Sequence, residues 1–245
     1  MFKPARREVL RRMALVGSTT ILSSWFAGTK AFAQTNPLLP DTDDPQRYSF
    51  FTADELAFIN AALDRLIPSD DLGPGARAAG VAWFIDQQMA GPFGRAEHWY
   101  MQGPWRQGSE QQGYQLKLTP AQLYRQGIQA VDAYCKAHYG NKTFAQLNAN
   151  QQEDLLHAID DGKIQAQEAP LKDFFEMLLQ NTHEGYLADP IYGGNRQFAG
   201  WKLIGFPGPR YNYVQEITRY GKRYDRPYIG LGGYDGLPAL KKNRK

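Results

Sequence analysis

Four histidines, one cysteine and a few paired carboxylates are the groups in this sequence whose types could do chemistry. None of His98, His138, His157 and His183 stands three or four residues from another, so no helix face offers two imidazoles to one metal ion. His183-Glu184 is the best acid–base candidate. The other reading of that pair is a histidine near a helix C-terminus, where its cation is favoured. Cys135 is alone, which excludes an intrachain disulfide, a Cys-x-x-Cys-His haem attachment and a four-cysteine cluster. Its place among periodic apolar residues reads as core. Asp43-Asp44, Asp70-Asp71 and Asp160-Asp161 fall at loops or helix ends, where carboxylates cap or stay solvated. Gly230-Leu231-Gly232-Gly233 is glycine-rich but lacks the strand before and helix after that a dinucleotide fold requires. No Gly-x-Ser-x-Gly elbow occurs. The expectation is a chain with no catalytic residue, no cofactor and no metal site of its own.

The elements around these residues read as helices. Thr52-Ala53-Asp54-Glu55 is a capping box, followed by Leu56, Ile59, Leu63 and Leu66 at helical spacing and closed by Pro68. Arg77 to Met89 reads as a second helix, with Val81, Phe84 and Gln88 on one side. Gly91 to Tyr114 has no period and is expected to be a long loop. Thr119-Pro120 opens a helix carrying Leu123, Ile128, Val131 and Cys135, and Gly140 closes it. Asn150 is expected to cap the next, through Leu155 and Ile159 to Gly162. Pro170 starts the last, with Leu171, Phe174, Phe175 and Leu178. No segment sustains strand-like alternation. The expected fold is all-α: one compact helical domain over residues 51–188 and an irregular segment over 189–245.

That last segment is rich in Gly and Pro. Tyr192, Tyr211, Tyr213, Tyr220, Tyr224, Tyr228 and Tyr234 are spread through it, with Arg210, Arg219, Lys222, Arg223 and Arg226 between them. Tyr and Arg give large contact area with directional hydrogen bonds and are enriched at interface hot spots. The segment reads either as a partner surface or as a self-packed tail.

The N-terminus reads as an address. Lys3, Arg6, Arg7, Arg11 and Arg12 form a basic region, an uncharged stretch runs from Met13 to Ala27, and Ala31-Phe32-Ala33 offers small residues for signal cleavage. Arg6, Arg7, Val9 and Leu10 follow a twin-arginine pattern, and hydroxyls dilute the apolar stretch below what a membrane span needs. Residues 1–33 are therefore expected to be a cleaved export signal and residues 34–50 an extended, Pro- and Asp-rich arm. The signal carries a net +5 of the chain's +3, which leaves −2 on the remaining 212 residues. A basic nucleic-acid-binding footprint is absent from that remainder.

Asp189-Pro190-Ile191-Tyr192-Gly193-Gly194-Asn195-Arg196, with Gly200-Trp201-Lys202-Leu203-Ile204-Gly205-Phe206-Pro207-Gly208, resembles the signature segment of the gluconate 2-dehydrogenase subunit 3 family. The resemblance implies a small, non-catalytic subunit of a membrane-associated complex, exported through the twin-arginine translocase. It implies an FAD-dependent catalytic subunit of the glucose–methanol–choline type and a multihaem cytochrome c subunit as partners, so that FAD and haem c reside outside this chain. It places the protein in the periplasm, at the outer face of the cytoplasmic membrane. Asp189, Tyr192, Asn195, Trp201, Phe206, Tyr211 and Tyr213 are the residues expected at the partner contact. Two other readings remain open: an independent periplasmic enzyme built on His183 and Glu184, and a membrane-surface scaffold binding through the basic, Tyr-rich tail.

Overall fold

The computed structural model describes residues 47–106, 108–109, 112–166 and 169–233. The expected export signal (Arg6, Arg7, Val9 and Leu10), the cleavage residues Ala31 and Ala33, and nearly all of the arm lie outside these. Among the described residues the regular structure consists of six α-helices and four short 3-10 turns, with no strand beyond isolated bridges. No helix among them is long and apolar enough to cross a membrane.

Helix α1 spans Ala53–Leu66 and begins as its sequence dictates. The Thr52 hydroxyl accepts from the Glu55 amide, and the Glu55 carboxylate accepts from the Thr52 amide, so two amides without helical partners are satisfied at once. Helix α2 spans Val81–Ala90, four residues shorter at its start than expected. Gly80 sits at φ 78°, in the left-handed region, so helical geometry cannot extend back through it to Arg77. Helix α3, Pro120–His138, has the reciprocal cap of Thr119 and Gln122 with proline at its first position. Helix α4 spans Ala149–Asp160 and is capped by Asn148, not Asn150. The Asn148–Gln151 pair exchanges both capping hydrogen bonds, at 2.9 and 3.1 Å, and draws the start two residues earlier. Helix α5 spans Leu171–Leu187, and α6, Ala199–Ile204, is a short helix inside the segment expected to be irregular.

Helix α5 organises the rest, since it packs against α1, α2, α3, α4 and α6. Leu171, Phe174, Phe175, Leu178, Leu179, Thr182 and Tyr186 are all buried and form a wide stripe, while Lys172, Glu176, Gln180 and Glu184 keep the opposite face in water. Phe174 meets Phe58 of α1 and Tyr124 of α3, with ring centroids 6.0 and 5.5 Å apart. Each such fully buried side chain contributes roughly 1.5–3 kcal/mol of transfer free energy. Asn181, also buried, donates to the Tyr124 hydroxyl at 3.0 Å, which satisfies the amide inside the core.

The arm joins this core through a buried carboxylate. Asp86 of α2 is fully enclosed and accepts from the amides of Ser49, Phe50 and Phe51 at 2.8–2.9 Å. Arg125 of α3 lies over the Phe50 ring, 4.1 Å from its centre, donates to the Phe50 carbonyl and pairs with Glu55. The entry to α1 is thus held from two other helices. Removing the Asp86 carboxylate strands three amides, each costing about 1–3 kcal/mol when buried without a partner. Asp86→Ala is expected to lower unfolding stability by more than about 1 kcal/mol in urea titrations, most of it from the buried Phe51 amide. Asp64→Ala, which breaks an exposed pair with Arg77, should cost under about 1 kcal/mol.

Candidate functional site

The residues after α5 solve a problem that the helix itself creates. A helix leaves its last carbonyls without intrahelical donors, and here that end is covered by chain. The indole Nε1 of Trp201 donates to the Leu187 carbonyl at 2.7 Å, and the Asn195 side-chain amide donates to the Ala188 carbonyl at 2.7 Å. The Asn195 side-chain oxygen then accepts from the Gly200 amide at 2.8 Å, tying the start of α6 to the end of α5. Closeness is required for this: a Cβ at Gly194 would collide with the Gly185 carbonyl, and one at Gly200 with the Tyr186 carbonyl. The Tyr186 ring lies against Gly200, and its hydroxyl donates to the Pro74 carbonyl at 2.7 Å. Burial pushes its pKa up to about 12, so it remains a donor at any physiological pH.

An aromatic layer covers the junction. Phe198 stacks on Trp201 and on Tyr228, with centroids 5.4 and 6.0 Å apart, and Phe206 meets the Trp201 ring edge-on at 5.0 Å. Asp189 clasps the chain's later course. One carboxylate oxygen accepts from the Ile191 amide at 3.0 Å, and the other from the Leu231 amide at 2.7 Å. The Ile229 amide donates to the Pro207 carbonyl at 3.1 Å, so residues 209–228 form a loop closed at its neck. Arg210 braces this loop from within, donating to the Tyr224 hydroxyl and the Pro227 carbonyl.

The seven residues expected at a partner contact therefore divide. Asn195 and Trp201 are interior, at 0% and 4% exposure, and belong to this chain's own packing. Their placement at a contact surface is corrected: both side chains are consumed in closing the end of α5. Asp189 is half-buried and serves as the clasp. Tyr192, Phe206, Tyr211 and Tyr213 are exposed, and Ile204, which the sequence did not single out, joins them at 50% exposure. Buried Trp201 supports Phe206, and Tyr213 leans on Tyr224 at 5.8 Å.

The acid–base candidates are scattered over different elements. His183 and Glu184 lie on α5, and the Glu184 carboxylate accepts from Gln180 at 2.8 Å. His138 ends α3, stacked on Tyr134 with its Nδ1 2.9 Å from the Tyr134 carbonyl, and His157 lies in the last turn of α4. Among the described residues, no three of His, Cys, Asp and Glu are grouped to hold a metal ion. Asp161 caps α4, and its exposed carboxyl sits below the usual range because Lys163 bonds it at 2.9 Å. Cys135 is fully buried on α3, and desolvation, with Asp132 nearby, pushes its thiol up to about 12.

Two outcomes follow from this geometry. Because the thiolate is the nucleophile, Cys135 should stay unreactive toward an aromatic disulfide reagent in the native protein at about pH 8 and react fully in denaturant. Trp201→Ala should cost the fold about 3–5 kcal/mol by opening a cavity. Asn195→Gly tolerates φ 47° and should cost only what its two hydrogen bonds supply, about 1–3 kcal/mol. Urea midpoints of the two variants check both values.

A family model described as gluconate 2-dehydrogenase subunit 3 matches residues 53–208, from the first residue of α1 to the neck of the closed loop. No curated protein and no solved structure matches the chain. The match covers well over half of the sequence and includes the whole segment that closes α5, so the chain belongs to the gluconate 2-dehydrogenase subunit 3 family.

Proposed function

We propose that this chain is the non-catalytic small subunit of a flavin-dependent gluconate 2-dehydrogenase-type complex. In this reading it escorts the FAD-bearing subunit, of the glucose–methanol–choline type, through the twin-arginine translocase and aids its maturation. A multihaem cytochrome c subunit completes the assembly at the outer face of the cytoplasmic membrane. Membership of the family supports a place in a multi-subunit dehydrogenase. The observation that carries the finer reading is the platform at the end of α5. Tyr192, Ile204 and Phe206 stand 55%, 50% and 38% exposed on a backbone locked by Asn195, Trp201 and Asp189. Large apolar side chains held in place from beneath lose little entropy on docking, which is the condition for an interface centre. Tyr211 and Tyr213 are also exposed, in the loop that follows.

The Arg6-Arg7 pair supplies the export half of the proposal. A twin-arginine route carries folded, cofactor-loaded proteins, which a chain without disulfides has little need of for itself. The route makes sense if a cofactor-bearing partner crosses with it.

Pull-down of a tagged chain from its producing cell tests the assembly half. Tyr192→Ala with Phe206→Ala should lower the melting temperature by only about 2–6 °C, the cost of losing the Phe206–Trp201 ring contact, and leave the chain folded. It should weaken capture of the flavoprotein at least tenfold, the effect of losing about 1.4 kcal/mol of contact. Unchanged capture would remove the platform as the docking surface. Replacing Arg6 and Arg7 with Lys should strand dehydrogenase activity in the cytoplasm. Full periplasmic activity in that variant would refute co-export.

A further inference from the structure

The closed loop of residues 209–228 lies beyond the part of the chain that the family model matches, and its charge is of the opposite sign. Residues 34–208 carry 13 basic against 21 acidic side chains, a net of −8. Residues 209–245 carry nine basic against three acidic, a net of +6. So sharp a change of sign at one point in a chain marks a surface meant for an anionic partner.

Inside the loop the cations are not all engaged in the same way. Arg210 is turned inward, and Glu216 holds Arg219 at 2.7 Å and Arg226 at 3.3 Å. Lys222 and Arg223 project from the exposed stretch after Tyr220. Val214, Ile217 and Tyr220 stand three residues apart and are 67%, 62% and 83% exposed. Val214–Glu216 is a 3-10 turn, with Ile217 just after it and Tyr220 in the turn that follows. Branched apolar side chains left in water in this way gain free energy only when something covers them.

We propose that this loop docks on an anionic phospholipid surface. Its cations would meet headgroup phosphates, while Val214, Ile217 and Tyr220 enter the boundary between headgroups and acyl chains. Separate apolar ends bordered by Lys and Arg suit that boundary. The acidic body would be repelled by the same lipid, so only this end approaches, which fixes orientation. Lys241, Lys242, Arg244 and Lys245 add charge of the same sign. The inference does not rest on the accessory-subunit reading, since it concerns a different surface and needs no dehydrogenase.

The full chain, expressed alone, is mixed with vesicles of equal phosphatidylcholine and phosphatidylglycerol, or of phosphatidylcholine only, and separated by flotation. Binding to the anionic vesicles and not the neutral ones is expected, weakening with salt. Each Lys or Arg near such a surface strengthens binding about fivefold. Lys222→Gln with Arg223→Gln should therefore weaken it about 25-fold, and Ile217→Ser with Tyr220→Ser should weaken it as well. Lys3, Arg6, Arg7, Arg11 and Arg12 are changed to Gln in the parent and in every variant, so that lipid contact by the N-terminal cations does not mask the loop. Circular dichroism confirms that each variant is folded. Equal binding to neutral vesicles, or unchanged binding in both variants, overturns the proposal. It is overturned too if vesicles are ignored while the charge variant fails to co-purify other subunits, which would assign the loop to an acidic protein surface.

Discussion

The chain from residue 188 to residue 201 answers one requirement: the C-terminal carbonyls of α5 that it covers must find donors. A helix end in water takes them from solvent, but here the returning chain covers the last turn of α5, where Gly185 and Tyr186 are buried, and an unpaired carbonyl inside protein costs about 1–3 kcal/mol. The chain meets this by turning back on itself. The Trp201 indole and the Asn195 amide supply the donors, and Gly194 and Gly200 allow backbone to lie against backbone. An Ala–Ala–Ala turn of the same length would have neither the donors nor the clearance. The signature segment is therefore first a structural device, and its exposed side chains inherit their positions from it.

The junction of the arm with the core uses the same principle with the sign reversed. There the groups in need are amides, those of Ser49, Phe50 and Phe51, and the partner is the enclosed carboxylate of Asp86. A buried anion is costly unless several donors converge on it, and three backbone amides in succession do so here. Arg125 completes the arrangement by satisfying the Phe50 carbonyl and covering its ring. The two junctions anchor chain to α2 and α5, the helices that pack against each other. A disturbance in either is felt across that contact.

How much of this the sequence disclosed follows from range. Capping is local, so Thr52 and Thr119 could be read as helix starts from four residues each, and the apolar periods of α1, α3 and α5 gave the all-α class. The reading slipped where two local signals competed, at Asn148 against Asn150, and where one glycine in the left-handed region cut α2 short. Asp86 was invisible because its partners lie 35–37 residues away. Trp201 and Asn195 misled for a different reason. Large aromatics and amides are used alike in cores and at interfaces, and composition cannot tell which face they turn to. Burial decided it, and burial follows from the path of the chain rather than from the residue type.

That path carries strain. Asn195, Gln197 and Phe198 all lie at positive φ, between 47° and 59°, within four residues. Asparagine tolerates this region, but for a bulky residue such as phenylalanine it is an outlier, and each such residue costs about 1–3 kcal/mol. Strain of this kind persists only where surrounding contacts leave no alternative. Phe198 is fixed between Trp201 and Tyr228, the Arg196 amide donates to the Ala79 carbonyl at 3.0 Å, and Asn195 is bonded on both sides of its amide. A relaxed loop would need none of these restraints and would offer Tyr192 and Phe206 to a partner in many arrangements. The restrained one offers few, and the cost of ordering the surface is met in folding rather than in docking.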